Sequence, residues 1–187
     1  GFTITTAACN AYFDNGKKFP EGLWEEILTH VDNLEKQTGK SFGSDENPLL
    51  VSVRSGARIS MPGMMDTVLN LGLNDQTVQI LAQRTRNERF AADSYRRFLQ
   101  MFGNVVLGIE GVQFENNIER VKSSLHISSD LDMKAEDWHQ VIDLHKELIR
   151  DQTGKPFPQD PLKQFRKAIW AVFDSWFNPR AKTYRKI

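Results

Sequence analysis

The sequence predicts a helix-rich α/β (α+β) fold, and three observations support this class. Residues 49–53 form a short run of leucine and β-branched residues between turn-forming segments, which is typical of a strand. After Asn74, most of the chain repeats apolar residues at helical spacing. The 187 residues, 40% of them hydrophobic, are enough for one globular domain with a core or for two small lobes.

The first part of the chain predicts a strand, two helices and a second strand. Residues 1–5, GFTIT, are typical of a strand, and Thr5 or Thr6 can cap the helix that follows. A second helix is expected from Pro20, at its first position, to Gly39, a residue typical of a C-terminal cap. The strand at 49–53 ends on Arg54, and its composition predicts that it is buried.

The second part of the chain predicts a block of helices and a returning helix. Asn87 and Asp160 are suitable N-terminal caps, and Pro161 fits the first helical position after the second of them. Apolar and aromatic stripes on the last two helices are typical of a core rather than of a cofactor site. The expected helices cover residues 75–83, 87–102, 111–124, 134–151 and 160–177.

The composition excludes several classes of function. Lysine plus arginine equals aspartate plus glutamate, at 24 each, so no net charge favours nucleic acid or an anionic membrane as a partner. No apolar run reaches the length of a membrane helix, about 20 residues. The single cysteine, Cys9, excludes an internal disulfide, fits a cytoplasmic protein, and is expected to be buried and structural rather than reactive. His139 and His145 are six residues apart, so they do not share a helix face as a metal pair would.

The residues around Arg54 have the chemistry of a phosphate site. A strand that ends on an arginine presents a planar fork of donors, which suits phosphate oxygens. The loop that follows, residues 55–66, is rich in Ser, Gly and Met, and glycines allow its backbone amides to approach a ligand. The loop matches neither G-x-x-x-x-G-K-[ST] nor G-x-G-x-x-G. Physical reasoning alone leaves a surface loop with a structural arginine equally open.

A longer pattern carries a family resemblance. Residues 51–74, VSVRSGARISMPGMMDTVLNLGLN, closely resemble a signature of the pyruvate phosphate dikinases, as do GFTITTAAC, RFAADSYRRFLQMFGNVV and SWFNPRAKTYR. The resemblance implies part of an ATP-grasp nucleotide-binding domain. Its α/β part would be residues 1–73 and 160–187, and residues 74–159 would be an inserted α-helical subdomain. Whole enzymes of this family interconvert ATP, pyruvate and phosphate with AMP, phosphoenolpyruvate and diphosphate.

The resemblance also implies roles for individual residues. Arg54 matches an arginine that contacts ATP phosphates, and Arg97 matches one linked to the inorganic phosphate site; a simple helix-surface ion pair between Arg97 and Asp93 is equally open. Arg180 resembles an arginine used when a swivelling phosphohistidine domain docks, although simple solvation is favoured for it. The loop that closes over the nucleotide is matched by Gly63, Met65 and Thr67.

The resemblance further implies a component of an enzyme rather than a complete catalyst. Mg²⁺ is expected with ATP, but the ATP-binding lysine, the acidic metal ligands and the catalytic histidine of the family have no match in this sequence. We therefore expect a chain truncated at both ends and inactive alone. Two alternatives remain open: the same region of another dikinase such as phosphoenolpyruvate synthase, and a non-enzymatic helical interaction module.

Overall fold

A computed structural model describes residues 1–56 and 66–184, without the side chains of Arg180 and Tyr184. The described part is rich in helix and contains a small sheet, which confirms the helix-rich α/β class. Its elements are α1 (Thr6–Asp14), α2 (Leu23–Thr38), β1 (Val51–Arg54), β2 (Thr67–Leu71), α3 (Thr77–Thr85), α4 (Glu88–Val105), α5 (Gly111–Leu125), a 3₁₀ helix (Asp130–Asp132), α6 (Ala135–Thr153), α7 (Pro161–Ser175) and α8 (Pro179–Tyr184).

The helix caps follow the predicted residues. The Thr5 hydroxyl accepts a hydrogen bond from the third residue into α1, at 3.4 Å, and Gly39 ends α2 with a left-handed φ of 65°. The side chain of Asn87 accepts from the amide of Phe90 at the start of α4. Asp160 caps α7 in the same way, with Pro161 at the first helical position. These local signals explain why the helices begin and end close to their predicted bounds.

Two predicted elements near the N-terminus differ from the structure. Residues 1–5 are not in a strand: in the described chain they form no hydrogen-bonded ladder with β1 or β2, and Phe2 and Ile4 pack against the core. The second helix begins at Leu23 rather than Pro20. Gly22, with a φ of 78°, lies outside helical geometry and separates the proline from the helix.

The sheet is an antiparallel hairpin of two strands. β1 and β2 pair with Val51 opposite Leu71 and Arg54 opposite Thr67, and a bulge interrupts the register after Val51. The sequence did not predict β2. The prediction that the first strand is buried was wrong, because one face of β1, including Arg54, is exposed. A two-stranded hairpin has a solvent face on which a charged residue is accommodated easily.

Hydrogen bonds connect the hairpin to α7 at its junction with the helical block, which consists of α3, α4, α5 and α6. Gly72, directly after β2, has a φ of 105°, and a Cβ there would lie 2.8 Å from the carbonyl oxygen of Leu49. Its amide donates to Oε1 of Gln164, a fully buried residue of α7. The side-chain amide of Gln164 donates in turn to the carbonyl oxygens of Leu73 and Pro158. Gln164 of α7 therefore connects the end of the hairpin to the segment that precedes α7.

Helix α4 lies at the centre of the helical block. It packs against α3, α5 and α6 on its flanks and against β2 at the hairpin. Phe157, from the segment before α7, inserts against this helix and makes edge contacts with the rings of Tyr95, Phe98 and Phe102. The block and the hairpin therefore share one continuous core.

The core contains most of the predicted apolar stripes. Cys9 is buried, at 5% exposure, as predicted. Trp138, Val141, Ile142 and Ile149 of α6 are all buried, which confirms the stripe on that helix. Phe177, which the sequence assigned to the last stripe, lies beyond the end of α7 and is 37% exposed.

Candidate functional site

Arg54 lies at the exposed end of the hairpin. It is the last residue of β1, its side chain is exposed, and within the described ranges it forms no ion pair. Thr67, the first residue of β2, is its cross-strand partner. Side chains of directly opposed residues have Cβ atoms roughly 4.5–5.5 Å apart, so the structure brings these two predicted site residues together.

A cavity of about 500 Å³ opens beside this arginine. Its walls are mainly apolar and come from the N-terminal segment, β1, α2 and α7, while Arg54, Ser55 and Gly56 lie at one side of it. Small-molecule sites commonly have volumes of roughly 300–1,000 Å³ and combine apolar walls with a few polar groups. The arrangement can hold a ligand that has both an apolar and an anionic part.

Other predicted site residues are described only in part or not at all. Gly63 and Met65 lie outside the described residues. Arg180 belongs to α8, but its side chain is not described. Within the described ranges, no group of three or more His, Cys, Asp and Glu residues is arranged to hold a metal ion.

Arg97 lies on α4 and pairs with Asp93. The two side chains are 2.9 Å apart at Nη2 and Oδ2, which is the ion pair considered from the sequence, and 64% of the Arg97 side chain is exposed. One turn further along α4, the sulfur of Met101 accepts a hydrogen bond from the amide of Leu69 in β2. Residues four apart lie on the same helix face, so Arg97 is on the face of α4 that adjoins the hairpin.

A second arginine, which the sequence analysis missed, lies behind this pair. Arg96 donates through Nη2 to the other oxygen of Asp93, at 2.5 Å, and its side chain is only 9% exposed. Its guanidinium carbon lies 4.4 Å from the ring centroid of Trp138 on α6. The signal in the sequence was the spacing Asp93, Arg96, Arg97, which places both arginines within reach of one carboxylate on a helix.

His145 is a titratable residue of α6 that interacts electrostatically with Arg96. It is fully buried, its ring makes an edge contact with Phe114, and Nδ1 lies 3.5 Å from the side-chain amide of Asn117. Burial lowers its pKa to about 3, and the charge of Arg96 contributes in the same direction. The residue is therefore a neutral packing group.

These features define a helix-rich α/β domain with a candidate anion site at the end of a hairpin. A family model described as "Pyruvate phosphate dikinase, AMP/ATP-binding domain" matches residues 15–187. The chain belongs to the pyruvate phosphate dikinase family, and the family assignment made from its signature is confirmed.

Individual relatives agree with this assignment. The chain is 54% identical over its full length to pyruvate, phosphate dikinase of Rhizobium meliloti (strain 1021) and to pyruvate, phosphate dikinase 1, chloroplastic, of Arabidopsis thaliana. It covers 21% and 19% of those proteins. Pyruvate, phosphate dikinase 2 of Zea mays is 49% identical over the same 187 residues. The chain thus spans about a fifth of the length of the curated relatives it matches.

In the two described ranges, no helix has both the length and the apolar character required to cross a bilayer.

Proposed function

We propose that this chain supplies one wall of the ATP- and phosphate-binding site of a pyruvate phosphate dikinase. The whole protein would convert ATP, pyruvate and phosphate to AMP, phosphoenolpyruvate and diphosphate. The observation that supports this proposal most directly is the exposed guanidinium of Arg54 beside a cavity of about 500 Å³, in a chain of this family.

The chemistry of Arg54 suits the phosphates of ATP. Its guanidinium offers five N–H donors in a planar fork that matches the geometry of phosphate oxygens. The hydroxyl of Thr67, from the paired strand, can donate a further hydrogen bond to the same anion. The loop between the two strands, including Gly63 and Met65, would close over the nucleotide. Arg97, on the adjoining face of α4, would bind the inorganic phosphate.

Mg²⁺ is the metal expected with ATP in the whole enzyme. The described residues do not offer a carboxylate cluster for it, so the metal ligands of this proposal are the nucleotide phosphates and groups outside the described ranges. No step of the proposal at Arg54 depends on the metal. The arginine neutralises and orients phosphate oxygens whether or not a cation bridges them.

The fold and partners belong to the same proposal. Residues 1–73 and 160–187 would form the α/β part of an ATP-grasp domain, and residues 74–159 its inserted helical subdomain. A swivelling phosphohistidine domain of the same full-length protein would dock on this domain, with Arg180 contributing to the contact. The protein would work in the cytoplasm, although several of the relatives are described as chloroplastic.

A helical interaction module is the second candidate function. The many helices favour it, and an Arg54 buried in a salt bridge with no cleft at the loop would favour it further. Arg54 is instead exposed, lacks an ion pair in the described part of the chain, and lies beside a cavity. The nucleotide site is therefore the better supported function. A different dikinase, such as phosphoenolpyruvate synthase, would be distinguished by assaying the whole enzyme for its dependence on inorganic phosphate.

Calorimetric titration of ATP into the 187-residue chain tests the proposal. We expect weak binding, which Arg54→Ala weakens by about ten- to a hundredfold, since a hydrogen bond to a charged group contributes roughly 1.5–3 kcal/mol. Arg120→Ala, at an exposed arginine of α5, is the matched control and should leave ATP binding unchanged. Micromolar ATP binding that is insensitive to Arg54→Ala would contradict the proposal.

A turnover assay tests the expected inactivity of the chain alone. ATP, pyruvate and phosphate are supplied together, and phosphoenolpyruvate is measured. We expect no steady-state formation of phosphoenolpyruvate by the 187-residue chain, because no residue here matches the phosphohistidine of the family. Sustained product formation would refute that expectation without affecting the assignment of Arg54.

A further inference from the structure

The carboxylate of Asp93 is shared between two arginines of very different exposure. Oδ1 accepts a hydrogen bond from Arg96, whose side chain is 9% exposed, and Oδ2 forms an ion pair with Nη2 of Arg97, whose side chain is 64% exposed. Asp93 itself is 18% exposed. The three side chains therefore run from the interior of the helical block to its surface, with the carboxylate between the two cations.

Arg96 is held firmly on the buried side of this group. Its guanidinium stacks on Trp138, and Nη1 donates to Oε1 of Gln100 at 3.3 Å. Gln100 donates in turn to Glu115 of α5, at 2.6 Å. Arg96 thus has contacts with α6 and, through Gln100, with α5. These contacts fix the guanidinium of Arg96, which pairs with the carboxylate of Asp93.

Among the described residues, Arg97 makes fewer contacts than Arg96 and lies on the solvent side of Asp93. Only Nη2 is engaged by Asp93, and in the part of the chain that the structure describes no acceptor is bonded to Nε or Nη1. Because Arg96 already compensates the carboxylate, Arg97 keeps a net positive charge and most of its donors for a solvent-side anion. A long, exposed arginine would otherwise sample many rotamers, and ordering it would oppose binding.

We propose that Asp93, held by the buried Arg96, is a positioning residue that orients the guanidinium of Arg97 toward inorganic phosphate. This inference rests on the proposed phosphate role of Arg97. Asp93 does not touch the phosphate; it fixes one nitrogen of Arg97 so that the rest of the fork is arranged before the anion binds.

Two physical effects of Asp93 predict opposite outcomes when its charge is removed. If Asp93 acted only as a nearby negative charge, Asp93→Asn would tighten phosphate binding, because the repulsion of the anion would be lost. If Asp93 positions Arg97, the same substitution weakens binding, because Arg97 must then be ordered by the phosphate itself. The direction of the change therefore separates the two.

The experiment titrates inorganic phosphate into the 187-residue chain and follows binding by NMR. Backbone amide resonances report binding in every variant. The Nε–H resonance of Arg97 is followed as well in the variants that retain this arginine. We expect Asp93→Asn to raise the Kd by about 3- to 10-fold, the effect of ordering one flexible side chain on binding. The Arg97 Nε–H group should also become more mobile. Glu119→Gln, which neutralises the acidic member of an ion pair on α5, is the matched control and should change neither readout.

A double-mutant cycle separates this inference from the proposed function. Arg97→Ala should weaken phosphate binding, and Asp93→Asn should have no further effect once Arg97 is absent. Phosphate binding that does not depend on Arg97 would overturn the phosphate assignment, and with it the inference. If phosphate binding depends on Arg97 but Asp93→Asn leaves the binding unchanged or tighter, the positioning role of Asp93 alone is overturned.

Asp93→Asn leaves Arg96 buried without a counter-charge, which can prevent folding. A second variant therefore tests the positioning role without a buried unpaired charge. In Asp93→Asn combined with Arg96→Met, the buried cation is removed and an apolar side chain of similar length packs against Trp138. This variant should fold and show the same weakened phosphate binding. Binding as tight as in the unsubstituted chain would contradict the positioning role.

Discussion

Arg54 and Thr67 face each other at the end of the β1–β2 hairpin where residues 55–66 connect the two strands. The two residues are thirteen positions apart in the sequence, and the antiparallel register makes them direct neighbours. One contributes a charged fork and the other a hydroxyl at the end of the hairpin, and Arg54 lines the cavity beside it. The pairing gives the proposed phosphate contacts a rigid base, because neighbouring strands hold both backbones.

Arg54→Lys tests whether the fork geometry matters beyond the charge. Lysine keeps the positive charge but presents one ammonium group instead of a planar pair of donors. We expect the Kd for ATP to rise by about 3- to 10-fold, less than for Arg54→Ala, as the bidentate hydrogen bonds are lost. Calorimetry at two salt concentrations checks this. Binding as tight as with arginine would mean that Arg54 acts only as a point charge.

Gly72→Ala tests the junction between the hairpin and the helical block. The φ of 105° disfavours any side chain, and the new Cβ would lie 2.8 Å from the backbone oxygen of Leu49. We expect a loss of unfolding free energy of about 1–3 kcal/mol, measured by urea denaturation. Gly111→Ala is the control, because its Cβ would meet only a side-chain atom at 3.7 Å and its φ is not positive. Equal stability of the two variants would refute this account of the junction.

Gln164→Leu tests the three hydrogen bonds that connect α7 to the end of the hairpin and to the segment before α7. Leucine is similar in size, but it leaves the amide of Gly72 and the carbonyls of Leu73 and Pro158 buried without their partner. We expect a destabilisation of about 2–4 kcal/mol, because each unsatisfied buried group costs roughly 1–3 kcal/mol and some will be hydrated. Gln152→Leu, at an exposed position of α6, should change the free energy of unfolding far less. Hydrogen exchange at the amide of Gly72 should accelerate only in the first variant.

His145 predicts a loss of stability in mild acid. Its folded-state pKa of about 3 lies below the ordinary value of 6.5, so below pH 6.5 the unfolded chain binds a proton that the folded chain does not. The contribution to stability is complete above pH 6.5 and decreases as the pH falls toward 3. Between pH 7 and pH 5 the expected loss from this residue is about 2 kcal/mol.

Thermal and urea unfolding at these two pH values measure the effect of His145. In His145→Leu this part of the pH dependence should disappear, because the side chain no longer titrates. His30→Gln removes a histidine at an exposed position and should leave the His145 contribution in place. An unchanged pH dependence in His145→Leu would show that other groups cause it.

The sequence predicted the helices well because their signals are local. Thr5, Gly39, Asn87 and Asp160 act at the helix ends through side chains or backbone angles that their own neighbours determine. The prediction of a strand at residues 1–5 was wrong because a strand depends on a hydrogen-bonded partner, and in the described chain these residues join no ladder.

The candidate site could be predicted only in part, for a related physical reason. Arg54 was found from the end of a strand and from the family signature, and the family itself is confirmed. The unrecognised strand β2 concealed that Thr67 lies opposite Arg54, since register is a tertiary property. Arg96 was missed because its burial depends on Trp138, which lies 42 positions away on another helix.

Mapping the ATP site on the chain by NMR tests the central claim most directly. Amide chemical shifts of the 187-residue chain are followed as ATP is added, and the Arg54→Ala variant is compared under the same conditions. We predict that the largest changes occur at residues 54–56 and at Thr67, and that Arg54→Ala reduces them strongly. The claim that the hairpin end binds the nucleotide would be contradicted by shift changes that are centred on another surface and are equal in the variant. The groove between α6 and the start of α7, lined by Lys146, Arg150 and Lys163, is one such surface.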